Sequence, residues 1–156
     1  MPVETSLPQI VTVLCLYSTV YPLYTLKSNT APSEVSVTST PTAYIRSHSL
    51  FNFGQGVYPN EEHKTLILNE FPDTASLTLE FSYLNIGTES SCKDNINSDI
   101  LTIDTETESI FTCSDVSSTI PTEVISFSQY PSKVTFIFET NSAGQYGGFL
   151  LKYSGM

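Results

Sequence analysis

The sequence has no tryptophan, three cysteines, and only six Lys and Arg residues against 16 Asp and Glu, a formal net charge of −10. A surface this acidic repels phosphate backbones and anionic headgroups, which argues against nucleic acid and against polybasic membrane docking. Calcium, basic proteins and neutral glycans remain as partners. No Asn-x-Ser/Thr sequon occurs, so N-glycosylation offers no support for secretion. HExxH, His/Cys clusters at zinc spacing and GxSxG are all missing, and His48 and His63 are the only histidines. No metalloprotease helix, zinc centre or nucleophile elbow is indicated. Acidic residues are scattered too widely to single out a glycosidase pair. GQYGG has no helix behind it to cradle a phosphate and reads as a hairpin turn. The expectation is a protein that is not an enzyme.

Long clean hydrophobic runs are also scarce. The only extended one, LPQIVTVLCLYSTVYPLY at residues 7–24, is broken by Pro8 and Pro22 and is rich in Ser, Thr and Tyr, a poor membrane span. As a secretory signal it lacks a positive start and carries Glu4. Residues 1–27 therefore read as an atypical signal peptide or an N-terminal arm. Residues 28–49, dominated by Ser, Thr and Pro, read as a linker or an edge strand, with EVSVTST able to form one short strand. The folded domain is expected over residues 50–156.

What the chain does have is 40% hydrophobic and 12% aromatic residues, enough for one core. From Leu50 onward the pattern has period 2. KTLILNEF, SLTLEFSYLNI, DILTIDT, EVISFSQY, KVTFIFET and GGFLLKY alternate or run apolar, separated by turn residues such as FPDT, SDVSS and YPSK. In SLTLEFSYLNI this alternation places Leu77, Leu79, Phe81 and Tyr83 on one face. Short strands at even spacing predict an all-β fold, an antiparallel two-sheet β-sandwich.

Cys15 lies inside the N-terminal run, away from Cys92 and Cys113, which sit beside short polar turns. The residues themselves leave two readings: one Cys92–Cys113 disulfide, or two free thiols. A disulfide there would close a loop of about 22 residues and contribute roughly 3 kcal/mol in the chain-entropy account. The acidic residues around the pair, Glu89, Asp94 and Asp99, read either as a solvated loop or as oxygen ligands for a cation. Asp104, Glu106 and Glu108 alternate along DTETES and are expected on the exposed face of a strand end.

The order of features from Phe53 to Tyr153 resembles the CUB domain, an extracellular β-sandwich module. GVYPNEEH looks like the family's opening turn, with Tyr58 and Pro59 matching. FPDTASLTLEFSYLNI is similar to its patterned strand, with Leu77, Leu79, Phe81, Leu84 and Ile86 in register. Cys92 and Cys113 match its third and fourth cysteines, Asp99 the Asp opening D-x-l-x-I, and Gly148, Phe149 and Tyr153 its ending. The resemblance implies a CUB-like jelly roll with a Cys92–Cys113 bridge. It also implies a calcium site drawing on Tyr58, Asp99 and the position held by Asn141, with Glu89 or Asp94 as substitutes from the longer loop. The departures are the missing first disulfide, Gly87 at the family's Glu position, Asn141 at its final Asp, and four extra residues between Cys92 and Asp99. The function implied is a secreted, non-catalytic module that binds an extracellular protein presenting basic residues, or a glycan, through end loops. The alternatives are a self-associating structural component and an accessory domain of a larger secreted protein such as a protease.

Overall fold

Alternating apolar residues cannot be buried by one sheet alone, and in this chain two sheets share the task. The computed structural model describes residues 20–49, 51, 57–60, 62–72, 77–86, 99–112, 124–127, 132–141 and 146–155. In chain order the strands are β1 (Leu23–Thr25), β2 (Lys27–Ser28), β3 (Ser33–Ser36), β4 (Thr42–Arg46), β5 (His63–Asn69), β6 (Leu77–Asn85), β7 (Ile100–Thr105), β8 (Ser109–Thr112), β9 (Val124–Phe127), β10 (Lys133–Glu139) and β11 (Gly148–Gly155). One sheet runs β1-β4-β11-β6-β9 and the other β2-β5-β10-β7-β8. Pairing is antiparallel except at two margins, where β1 lies parallel to β4 and β3 parallel to β5. β2 and β3 share one edge of β5 in succession, β2 against Lys64–Thr65 and β3 against Leu66–Asn69. The expected all-β sandwich is therefore observed.

The core forms where the inward rows meet. Along β7 the burial alternates, with Leu101, Ile103 and Thr105 inside, and along β10 Val134, Phe136 and Phe138 are inside. Leu77, Leu79 and Phe81 face them from β6, and Phe149, Leu151 and Tyr153 from β11. Each fully buried large side chain contributes about 1.5–3 kcal/mol relative to exposure.

The main core also takes in residues before position 50, where the expected edge strand appears as β3 against β5. Leu26, Val35, Val37, Ala43 and Ile45 all join the main core, none more than 5% exposed. A strand needs an apolar residue only at every second position, so a Ser/Thr-rich stretch can still fill one face. Lys27 and Ser28 form β2. Leu23–Thr25, within the segment read as an atypical signal peptide or N-terminal arm, pairs with the chain's own β4.

Two local expectations are corrected as well. Leu151 pairs with Phe81 but Leu150 with Tyr83, so Ser82 is a bulge residue. A bulge reverses the sidedness of everything beyond it. Leu84 and Ile86 take up the core face, and Tyr83 turns outward, away from Leu77, Leu79 and Phe81. DTETES is a hairpin turn: Asp104 pairs with Ser109, and the Thr105 N–H donates to the Glu108 carbonyl at 2.8 Å. It leads into β8, a strand the alternation argument missed, and its carboxylates bond locally, Asp104 to Ser109 and Glu106 to Ser132. Among the described residues, no helix is long and apolar enough to cross a membrane.

Candidate functional site

The strand ends at one pole of the sandwich bring together residues far apart in sequence. Tyr58 lies in the connection from β4 to β5, and its N–H donates to the Tyr146 carbonyl at 3.2 Å. Its ring stands edge-on to Phe138, 5.0 Å away, and to His48, 5.9 Å away. The phenol is thereby driven inward among strand ends, 1% exposed. Its oxygen lies 2.5 Å from Asp99 Oδ2 and 3.2 Å from the Ile86 carbonyl oxygen. A phenol has one proton, and the charged, closer acceptor takes it.

Asp99 immediately precedes β7 and is 3% exposed. Its second oxygen, Oδ1, accepts the Asn141 backbone N–H at 2.7 Å, just past β10. Burial raises the Asp99 carboxyl above its ordinary value, while the Tyr58 hydroxyl and the Asn141 amide pull it back down. The Tyr58 hydroxyl is held well above its ordinary value, first by burial and then by its bond to Asp99. A clamp around Thr140 fixes the Asn141 amide. The Thr140 N–H donates to the Glu62 carbonyl at 2.9 Å, while its Oγ1 accepts the Glu62 N–H at 2.7 Å and donates to the Pro59 carbonyl at 3.0 Å. The turn carrying Tyr58 is thus tied to the strand end carrying Asn141.

A second polar group lies behind Tyr58. Ser47 and His48, just past β4, are 0% and 2% exposed. Ser47 Oγ accepts the Phe149 N–H at 3.0 Å, which leaves its proton for His48 Nδ1 at 2.8 Å. His48 Nε2 is buried without a hydrogen-bond partner. Burial, with smaller contributions from Lys64 and Arg46, lowers the imidazole to about 4. Both groups of this serine–histidine pair are closed off from solvent, and its role is to hold β4 against β11. Gly148 makes room for it. Its φ is +92°, and a Cβ there would sit 2.1 Å from Ser47 Oγ and 2.9 Å from His48 Cε1.

Of the residues expected at the site, Tyr58, Asp99 and Asn141 converge, Asn141 through its backbone amide. Glu89 and Asp94 lie outside the described residues, as do Cys92 and Cys113. Ser47, His48 and Thr140 were not anticipated. A histidine between two serines carries no local signal of burial, whereas Gly148 was visible as the glycine preceding an apolar strand. Calcium requires six to eight oxygen ligands. Asp99, the Tyr58 hydroxyl and the Ile86 carbonyl are of the right kind, yet no group of three or more His, Cys, Asp or Glu gathers among the described residues. The donor set fits calcium in type and falls short in number without residues 87–98.

No protein-family model matches the chain, and no curated protein sequence matches it. Solved structures do. The MASP-1 CUB2 domain bound to Ca2+ superposes with a TM-score of 0.61 at 18% identity, over 82% of this chain and 99% of that one. The CUB1-EGF-CUB2 domains of rat MASP-1 give a TM-score of 0.59 at 18% identity, over 79% of this chain. The full extracellular region of zebrafish Gpr126/Adgrg6 gives 0.58 at 15% identity, over 79% of this chain. This chain spans 42% of the rat fragment and 14% of the zebrafish region. Strand order, the bulge after Phe81 and the polar strand ends are thus accompanied by superposition over most of the chain: the protein has a divergent CUB-like fold.

Proposed function

We propose that this chain is an extracellular, non-catalytic binding module that engages a protein partner through the pole occupied by Tyr58, Asp99 and Asn141. The observation that carries the reading is the buried Asp99 carboxylate, held at a strand end by one phenol and one backbone amide. A carboxylate buried against the preference of its own charge is the kind of group a cation stabilises. The Ca2+ bound by the MASP-1 CUB2 domain supports the same assignment. In this reading Asp99 ligates calcium, Tyr58 orients Asp99, and Glu89 or Asp94 adds oxygens from residues 87–98. A Cys92–Cys113 disulfide staples the segment between those two cysteines. The calcium braces the end loops, and their acidic surface attracts a partner presenting Lys or Arg. Secretion follows from this use, as do the two settings of a free module and an accessory domain of a larger protein.

Thermal unfolding of the chain with excess calcium and with a chelator tests it. Calcium at 100 times its dissociation constant adds about 2.7 kcal/mol. For a chain of this size that raises the midpoint by roughly 5–10 °C. The rise should vanish in Asp99→Asn. A midpoint indifferent to calcium in the wild-type chain removes the calcium-braced reading.

A further inference from the structure

The two outward faces of the sandwich differ in chemistry. On the six-stranded sheet, β10 turns out Lys133, Thr135, Ile137 and Glu139, an ordinary mixed surface. On the five-stranded sheet, one outward row reads Leu23, Tyr44, Lys152 and Glu80 across four strands. The next row reads Thr25, Arg46, Leu150 and Tyr83. Phe51 folds over Leu150 and meets the Tyr83 ring edge-on at 5.4 Å, which makes a second apolar cluster outside the main core. Tyr21 leans on Tyr44 at 6.1 Å, and the Lys152 ammonium lies 5.6 Å from the centre of the Tyr21 ring. Outward faces of antiparallel sheets are normally polar.

Two of the six Lys and Arg residues of a chain with net charge −10 stand on this face. Arg46 and Lys152 are diagonal cross-strand neighbours, about 7–8 Å apart at the backbone. Arg46 Nε donates to Thr25 Oγ1 at 2.7 Å, and Lys152 rests on a ring. Among the described residues the ion pairs are His63–Glu139 and Lys64–Glu62, so neither cation has a carboxylate partner, even with Glu80 beside Lys152 in register.

We propose that the outer face of the β1-β4-β11-β6 sheet docks an acidic, extended peptide segment of a partner protein, distinct from the end-loop site. The two cations supply local complementary charge for an anionic ligand on a chain whose net charge is −10. Tyr44, Tyr83 and Leu23, all half-buried, supply amphipathic contact area for apolar side chains between the acidic ones. β1 ends the sheet and pairs with β4 alone among the described residues, so its other edge lies beside the face for an added strand. A second copy carries the same net charge of −10 and is repelled as a whole.

The test is fluorescence anisotropy of the full chain with a labelled ten-residue peptide alternating Glu and Tyr, in chelator, at low and at high salt. Binding is expected without calcium, weakened about tenfold in Arg46→Gln/Lys152→Gln and by added salt, and unchanged in Lys133→Gln. Circular dichroism of each variant checks that it folds, and Lys152→Gln alone serves should the double variant unfold. Equal binding by wild type and both variants overturns the proposal, as does no binding. Tighter binding of a sulfated oligosaccharide of equal charge would reassign the face to glycan. Loss of a concentration-dependent dimer in the double variant would reassign it to a second copy. Calcium dependence of peptide binding would return the ligand to the end-loop site.

Discussion

Lowering the pH from 7 to 4.5 should weaken this fold through one buried imidazole. His48 sits at 2% exposure between the Phe51 and Tyr58 rings, and the fold lowers it from 6.5 to about 4. The unfolded chain therefore takes up the proton first as the pH falls. The contribution of His48 to stability is complete above 6.5 and is lost on the way down to about 4. That interval corresponds to about 3 kcal/mol, of which about 2 kcal/mol is expressed between pH 7 and 4.5. In a chain of this length the midpoint should fall by roughly 4–8 °C from this residue. Asp99, whose carboxyl is raised, works in the opposite direction: its protonated form is favoured by the fold, so acid relieves part of its burial. Comparing wild type with His48→Phe separates the two, because Asp99 and the surface carboxylates are common to both. Urea unfolding at pH 7, 5.5 and 4.5 gives the slopes. The wild-type chain should lose about 2 kcal/mol more than the variant over that range, whatever their difference at pH 7. Parallel slopes would refute the burial argument for His48.

Two further perturbations follow from the same pole. Gly148→Ala should destabilise by about 2–5 kcal/mol, combining backbone strain at positive φ with the collision against Ser47 Oγ. Ser47→Ala should cost less in the Gly148→Ala background than in the wild-type chain, because relief of the Oγ collision offsets part of the loss of its bonds to the Phe149 N–H and His48 Nδ1, as read by urea midpoints. Tyr58→Phe removes a donor from a buried carboxylate and should cost about 1.5–3 kcal/mol at pH 7. Most of that cost should disappear when Asp99 is also changed to Asn, and a double-mutant cycle that shows no coupling would contradict the 2.5 Å contact.

Much of the fold is written in residues one and two positions apart. Alternation along KTLILNEF, DILTIDT and KVTFIFET, with Pro, Gly and Asp between, is a local pattern, and each became the expected strand. In β6, where local alternation failed, a single inserted residue was the reason. The bulge at Ser82 sends Tyr83 outward and Leu84 inward, as the family-like spacing of Phe81, Leu84 and Ile86 had implied. Before residue 50 the strands were legible only in part: the alternation in EVSVTST pointed to β3, whereas β4 is short and its inward Ala43 and Ile45 alternate with Thr42, Tyr44 and Arg46.

The candidate site was legible only in part. Tyr58, Asp99 and Asn141 stood out through resemblance, but their actual bonds could not be read from the chain. Tyr58 meets Asp99 41 positions away, and Asn141 contributes a backbone amide, which every residue type carries. Ser47 and Phe149 meet across 102 positions, around a glycine whose importance lies in the space it leaves. Sequence alone determined the acidic charge and most strands from His63 onward, because those depend on neighbours along the chain. Only the tertiary structure decided which side chains share a buried pole and which cations share an outer face, because packing two sheets sets distances that sequence separation does not encode.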